Sequence, residues 1–209
     1  MAKFSITRLE DARRNPQQFA KSLSSTDDEK KFFPRSQFAD WQRAAIVYHD
    51  KNDVNAAIKK LTAAFKNGYV ESALNDRKLE DFVVKLENYA HSCVKKGLVL
   101  SERRKRVQIQ VHPNLQMTGL IPVIYMNNKN GYNACFFQRD TSRWEEELKY
   151  PIIQHHIATV ILGCDSKLVE VGIYNIATSS FELKSFNKRE IGDAEKELSD
   201  LGTSINSYM

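Results

Sequence analysis

Residues able to do chemistry are sparse in this chain and unevenly spread. Arg103-Arg104-Lys105-Arg106 places four cations in a row, with Lys95 and Lys96 just before them. Such a run can neutralise the phosphates of DNA or RNA. It can equally be a solvated entrance to a strand, where charge discourages edge-to-edge pairing. His155 and His156 are adjacent, and neighbours on a helix point about 100° apart. The two can hardly ligate one ion, so a structural or surface role is the better reading. Glu145, Glu146 and Glu147 supply carboxylates, but acids at a helix start usually form a solvated face that the helix dipole favours. Cys93, His91 and His112 would make a zinc set whose spacing matches no known ligand pattern. The three cysteines (Cys93, Cys135, Cys164) are scattered, with no C-x-x-C pair, and read better as buried or half-buried thiols.

The elements that must position these residues are legible from periodicity. A short helix is expected over 4–20, capped by Ser5 or Thr7 and interrupted at Asn15-Pro16, with Phe19 and Leu23 continuing an apolar face. Residues 24–31 are polar and charged and read as an exposed loop. From Phe38 to Lys96 the pattern is helical, with a start at Asn52-Asp53 and a stop at Gly68. The stripe Leu79, Phe82, Val83, Leu86, Tyr89, Ala90, Val94 closes at Gly97. These stripes are packing surfaces. Val107, Ile109 and Val111 alternate with glutamines as a half-buried strand. Gly119–Met126 and Tyr132–Arg139 form a hairpin around the turn 127–131. A helix over 143–162 buries Trp144, Leu148, Ile152, Ile153, Ile157 and Val160, and Pro151 predicts a kink or break inside it. Strands at 169–176 and 181–186 and a charged helix from Lys188 to about Leu201 complete the order. This is an α/β or α+β chain, not an all-helical one.

With 209 residues, 42% hydrophobic and 27% charged, the chain suits one globular domain with a sizeable core. No apolar run approaches the roughly 20 residues that span a bilayer, and the start has no signal-peptide pattern. A cytoplasmic protein with no membrane partner is the expectation. A net charge of +5 is compatible with nucleic acid without demanding it.

Four stretches, Ser5–Phe19, Gly119–Pro122, Gln138–Ser142 and Lys149–Ala158, together resemble the RecB-like family of PD-(D/E)XK nucleases. Ser5 to Phe19, running through Leu9, Asn15 and Pro16, resembles the family's opening signature. Gly119-Leu120-Ile121-Pro122 resembles its G-x-x-D strand. Gln138-Arg139-Asp140-Thr141-Ser142 stands where the family has (D/E)-x-K-T-S, and Lys149 to Ala158 resembles the helix bearing Q-x-x-x-Y. The resemblance implies a PD-(D/E)XK-like central mixed sheet flanked by helices. It implies a single domain over 1–209, mainly helical over 1–98 and strand-rich over 99–209.

It also implies where catalysis would sit and why it has decayed. Family members hold Mg²⁺ or Mn²⁺ with an Asp on one strand and an acid on the next, and a lysine two residues on stabilises the phosphate. Here Pro122 occupies the Asp position, Gln138 the acid's and Asp140 the lysine's. Gln154 is kept from the helix element, but Ala158 replaces its tyrosine. Asn15 replaces the cysteine that in some relatives helps bind an iron–sulfur cluster, so no cluster is expected, and no metal either. The expectation is a catalytically inactive pseudonuclease that binds DNA or RNA, with Arg103, Arg104, Lys105 and Arg106 as candidate contacts, or that serves as a subunit of a larger protein complex. The alternatives are an active nuclease using Mg²⁺ or Mn²⁺ at a site relocated around Asp140, and a pure protein-interaction module.

Overall fold

The computed structural model describes residues 1–24, 36–139 and 143–209; most of the expected 24–31 loop and Asp140 lie outside them. The chain opens on strand β1 (Ala2–Ser5), not on a helix, because pairing with a later strand draws Phe4 into a core. A 3-10 turn, Ile6–Arg8, follows, capped by Ser5, whose Oγ accepts from the Thr7 N–H at 3.3 Å. Helices α1 (Leu9–Arg14) and α2 (Pro16–Ser24) come next. Pro16 divides them and opens α2, a position where its missing N–H would have no helical partner anyway.

Three longer helices each begin at a small polar residue whose side chain accepts from the first turn. Ser36 caps α3 (Gln37–Lys51), Asp53 caps α4 (Val54–Gly68) and Ser72 caps α5 (Ala73–Lys95). The chain leaves α5 through Gly97 at φ +61°, a left-handed turn that glycine makes without steric cost. In α5 the buried stripe ends on Cys93; Val94, expected inside, is 73% exposed.

Strands β2 (Val99–His112), β3 (Leu115–Met126) and β4 (Tyr132–Gln138) form an antiparallel meander. β2 begins well before Val107, so the basic run lies inside a strand. The expected helix over 143–162 is shorter. A 3-10 turn at Trp144–Glu146 precedes α6 (Lys149–His156), which continues as a π-helical stretch, Ile157–Leu162. The break therefore falls at 147–148. Pro151 is the third residue of α6, in the turn whose N–H groups have no intrahelical partner. The wider π turns shift the helical phase, and Val160, expected inside, is 67% exposed. β5 (Val169–Asn175) pairs parallel to β4, β6 (Ser180–Lys184) antiparallel to β5, and α7 (Lys188–Ser207) ends the fold.

The architecture is α+β, a mixed six-stranded sheet flanked by helices. β3 is its hub. β2 runs along one edge, while the other edge is shared by β1, against 115–118, and β4, against 123–126. One sheet face packs on α1, α2, α6 and α7 through residues such as Leu9, Met117, Ile121, Ile153, Ile173 and Leu198. The opposite face packs on α3, α4 and α5 through Trp41, Leu61, Tyr89, Val123, Tyr125 and Tyr174. The mainly helical part thus serves both layers. Among the described residues no helix is long and apolar enough to cross a membrane.

Candidate functional site

The local chemistry of β3 changes at Pro122. Arg103 pairs with Val123 and Lys105 with Ile121, so Arg104 stands opposite a residue that has no N–H to give. Arg104 adopts φ +47° there, a conformation that costs an L-residue roughly 1–2 kcal/mol. Side-chain alternation changes phase at the same point. Ile121 belongs to one core, and Val123, two residues on, to the other.

This irregularity opens a groove of 470 Å³ between α3 and the sheet. Its floor is apolar, made of Leu120, Pro122 and Phe137 facing Ile46 and Val47, and its rim carries Arg43, Lys60 and Arg104. α3 lays Asp40, Arg43, Val47 and Asp50 along one helical stripe. The Asp40 carboxylate is 2% exposed; it accepts from Arg43 Nη1 at 2.6 Å and from the Tyr69 hydroxyl at 2.8 Å. A buried carboxylate thereby fixes Arg43, whose own side chain is 62% exposed, at the groove mouth. Asp50 is paired with Arg103. Four cations (Arg43, Lys60, Arg103, Arg104) stand against two carboxylates (Asp40, Asp50), each held by an arginine. Such a groove attracts anions.

The basic run is therefore not one patch. Arg103 is tied to α3 and Lys105 to Glu102 at 3.1 Å, whereas Arg104 enters the groove and Arg106 lies exposed beside Leu120. Arg43 and Lys60, which the sequence reading did not single out, complete the cationic set. The Asp40–Arg43 spacing, i to i+3 on a helix, is the signal that could have found the first. Nothing in the sequence marks Lys60.

The described positions aligned with the nuclease motif, Pro122, Gln138 and Gln154, are not gathered. Pro122 lines the groove with Phe137. Gln138 follows Phe137 in β4, so alternation puts it on the face of Phe136, toward the other core. Its carbonyl accepts from Ile176 N–H at 2.9 Å. Gln154 is fully buried in α6 and spans two connections. Its Nε2 donates to the carbonyls of Ser166 and Phe186, both at 2.9 Å, and its Oε1 accepts from Phe186 N–H at 2.7 Å. That bonding is structural.

The remaining candidates are likewise dispersed. His155 Nε2 lies 3.3 Å from Glu195 of α7, and beside it burial lowers the pKa of His156. Cys93 is buried, whereas His91 is exposed. Among the described residues no cluster of three or more His, Cys, Asp or Glu side chains is placed to hold a metal ion.

One further titratable group sits inside the α3–α5 layer. His49 Nε2 is 2.7 Å from Tyr89 Oη and 3.0 Å from Tyr125 Oη, and the two phenols bond to each other. Burial pushes both phenols well above their usual range, pushes the Cys93 thiol up to about 12 and lowers His49 to about 4. Within the triad both phenol hydrogens find acceptors when Nε2 accepts one of them.

Comparison with models of known protein families and with curated proteins gave no match.

Proposed function

We propose that this chain is a RecB-like pseudonuclease that holds nucleic acid without cutting it, as a subunit of a DNA- or RNA-processing or defence assembly. The observation that carries the reading is the groove at Pro122. Arg43, Lys60 and Arg104 converge there, and the carboxylates present are already engaged by arginines. A Mg²⁺ or Mn²⁺ site needs free oxygen ligands, chiefly carboxylates. A set of cations over an apolar floor suits phosphates and sugar instead. The left-handed Arg104 adds support, because strain kept by a charged residue beside a cavity is a mark of function. The mixed sheet with helices on both faces agrees with the architecture that the resemblance implies.

The test is fluorescence anisotropy of labelled oligonucleotides against the full chain, over a range of salt. Binding should weaken linearly in log–log form with salt, with a slope of about one per phosphate contacted. Arg104→Ala with Lys60→Ala should reduce affinity by about ten-fold or more and flatten that slope by about two. No salt-sensitive binding to any DNA or RNA would defeat the proposal in favour of a protein partner. Mn²⁺-dependent cleavage lost on Asp140→Ala would defeat it in favour of a relocated active site.

A further inference from the structure

The groove continues onto an open part of the sheet. Helices α3 to α5 cover the end of β3 that carries Val123 and Tyr125, and the first half of the strand emerges from beneath them. Residues directly opposite one another share a face. The register therefore places Leu120 beside Arg106 at the groove edge. Thr118 comes next, between Ser5 of β1 and Gln108 of β2, and then Gln116, between Lys3 and Gln110. Their neighbours Phe4, Met117 and Val107 are buried on the reverse face. Lys3, Arg106, Gln108 and Gln110 are exposed; Ser5, Gln116 and Thr118 are half-buried. Every side chain in these rows is basic, amide, hydroxyl or, at Leu120, apolar, and none is acidic.

Resting on the nucleic-acid reading above, we infer that this face is the path of a single strand, which enters at the groove and crosses β3 toward Lys3. Charge complementarity decides the occupant. Arg104, Arg106 and Lys3 mark a line of cations; among the described residues the strand rows themselves carry no carboxylate, and Asp50, at the groove end, is paired with Arg103. From Arg104 to Gln110 the strand advances about 20 Å, room for a few nucleotides. Chemistry decides single strand over duplex. A duplex turns its phosphates outward and keeps its base edges in grooves that a flat sheet does not enter. Only an unpaired strand offers base edges to the amides of Gln108 and Gln116; that of Gln110 is engaged by the carbonyl of His112 at 2.5 Å. The apolar floor of Leu120 and Pro122, walled by Ile46 and Val47, also needs an unstacked base to cover it.

Anisotropy with short single strands of DNA and of RNA, and with the matching duplexes, tests this on the full chain. Single strands should bind about ten-fold tighter than duplex, the worth of one well-placed base. The pair Gln108→Ala and Gln116→Ala should remove most of that preference and leave duplex binding and the salt slope unchanged. Gln108 is exposed and Gln116 half-buried, and an unaltered thermal melt establishes that the variant is folded. Equal or tighter binding of duplex, or a silent glutamine pair, overturns the single-strand path and leaves the nucleic-acid reading standing. Absence of all binding overturns both. A preference between the DNA and RNA strands identifies the sugar that the path accepts.

Discussion

His49 links stability to pH through one buried ring. Its folded pKa, near 4, lies below the ordinary value of 6.5, so between these values the unfolded chain takes up a proton that the folded chain refuses. Stability is full above pH 6.5, falls as pH drops through the window and levels off near 4. From pH 7 to pH 5 the loss from this residue is about 2 kcal/mol. Urea unfolding at the two pH values should show it, and His49→Gln should remove most of the difference. Gln154 poses the complementary case. Gln154→Leu keeps the volume but takes the side-chain partner from the buried Phe186 N–H and carbonyl and from the half-buried Ser166 carbonyl. A loss of about 3 kcal/mol or more is expected in urea unfolding, whereas a loss below 1 kcal/mol would mean water reaches them. Neither role could be read from sequence. His49, Tyr89 and Tyr125 lie far apart in the chain, and only the pairing of α3, α5 and β3 joins them. Gln154 read as a motif remnant because a buried amide and an exposed one look alike in a sequence.

At the scale of elements, what was legible followed periodicity, and what was not followed pairing. The bounds of α4, the α5 stripe as far as Ala90, the hairpin turn at 127–131 and the start of α7 at Lys188 stand where the sequence put them. β1 was missed because four residues show too little alternation, and its strand state is set by β3, over a hundred residues away. The extension of β2 back to Val99 was hidden for a related reason. Arg103 to Arg106 break the apolar alternation, and the strand is held there by its ladder with β3. Two substitutions probe these contacts. A Cβ at Gly202 of α7 would come within 2.6 Å of the Val111 carbonyl oxygen in β2. Gly202→Ala should therefore push helix from strand and lower stability by about 1–3 kcal/mol, against the gain alanine normally brings inside a helix. Arg104→Gly relieves the left-handed strain but loosens the unfolded chain, two effects of similar size. Thermal melting should move little, while under the proposed function nucleic-acid affinity falls, which separates the residue's charge from its backbone. A large drop in melting temperature would instead make Arg104 a structural residue.

The whole molecule is two cores divided by one sheet, and each core contains one buried tryptophan. Trp41 lies in the α3–α5 layer against Tyr89 and Phe137, Trp144 in the opposite layer against Tyr150. The sequence could suggest a helical part and a strand-rich part, but not how they share a core, because one strand supplies both. Ile124 and its neighbours Val123 and Tyr125 alternate between the layers, so neither core can lose its packing without disturbing β3. The two layers should therefore unfold together. Trp144→Phe leaves a fluorophore reporting on one layer, and Trp41→Phe leaves one reporting on the other. In each variant the fluorescence transition in urea should coincide with the far-ultraviolet circular dichroism transition, the mark of two-state behaviour. If the Trp41 signal is lost at lower urea than the helical signal, the α3–α5 layer opens on its own. The groove would then be the seam along which it opens, and under the proposed function an added oligonucleotide should raise that first transition in proportion to the logarithm of its concentration.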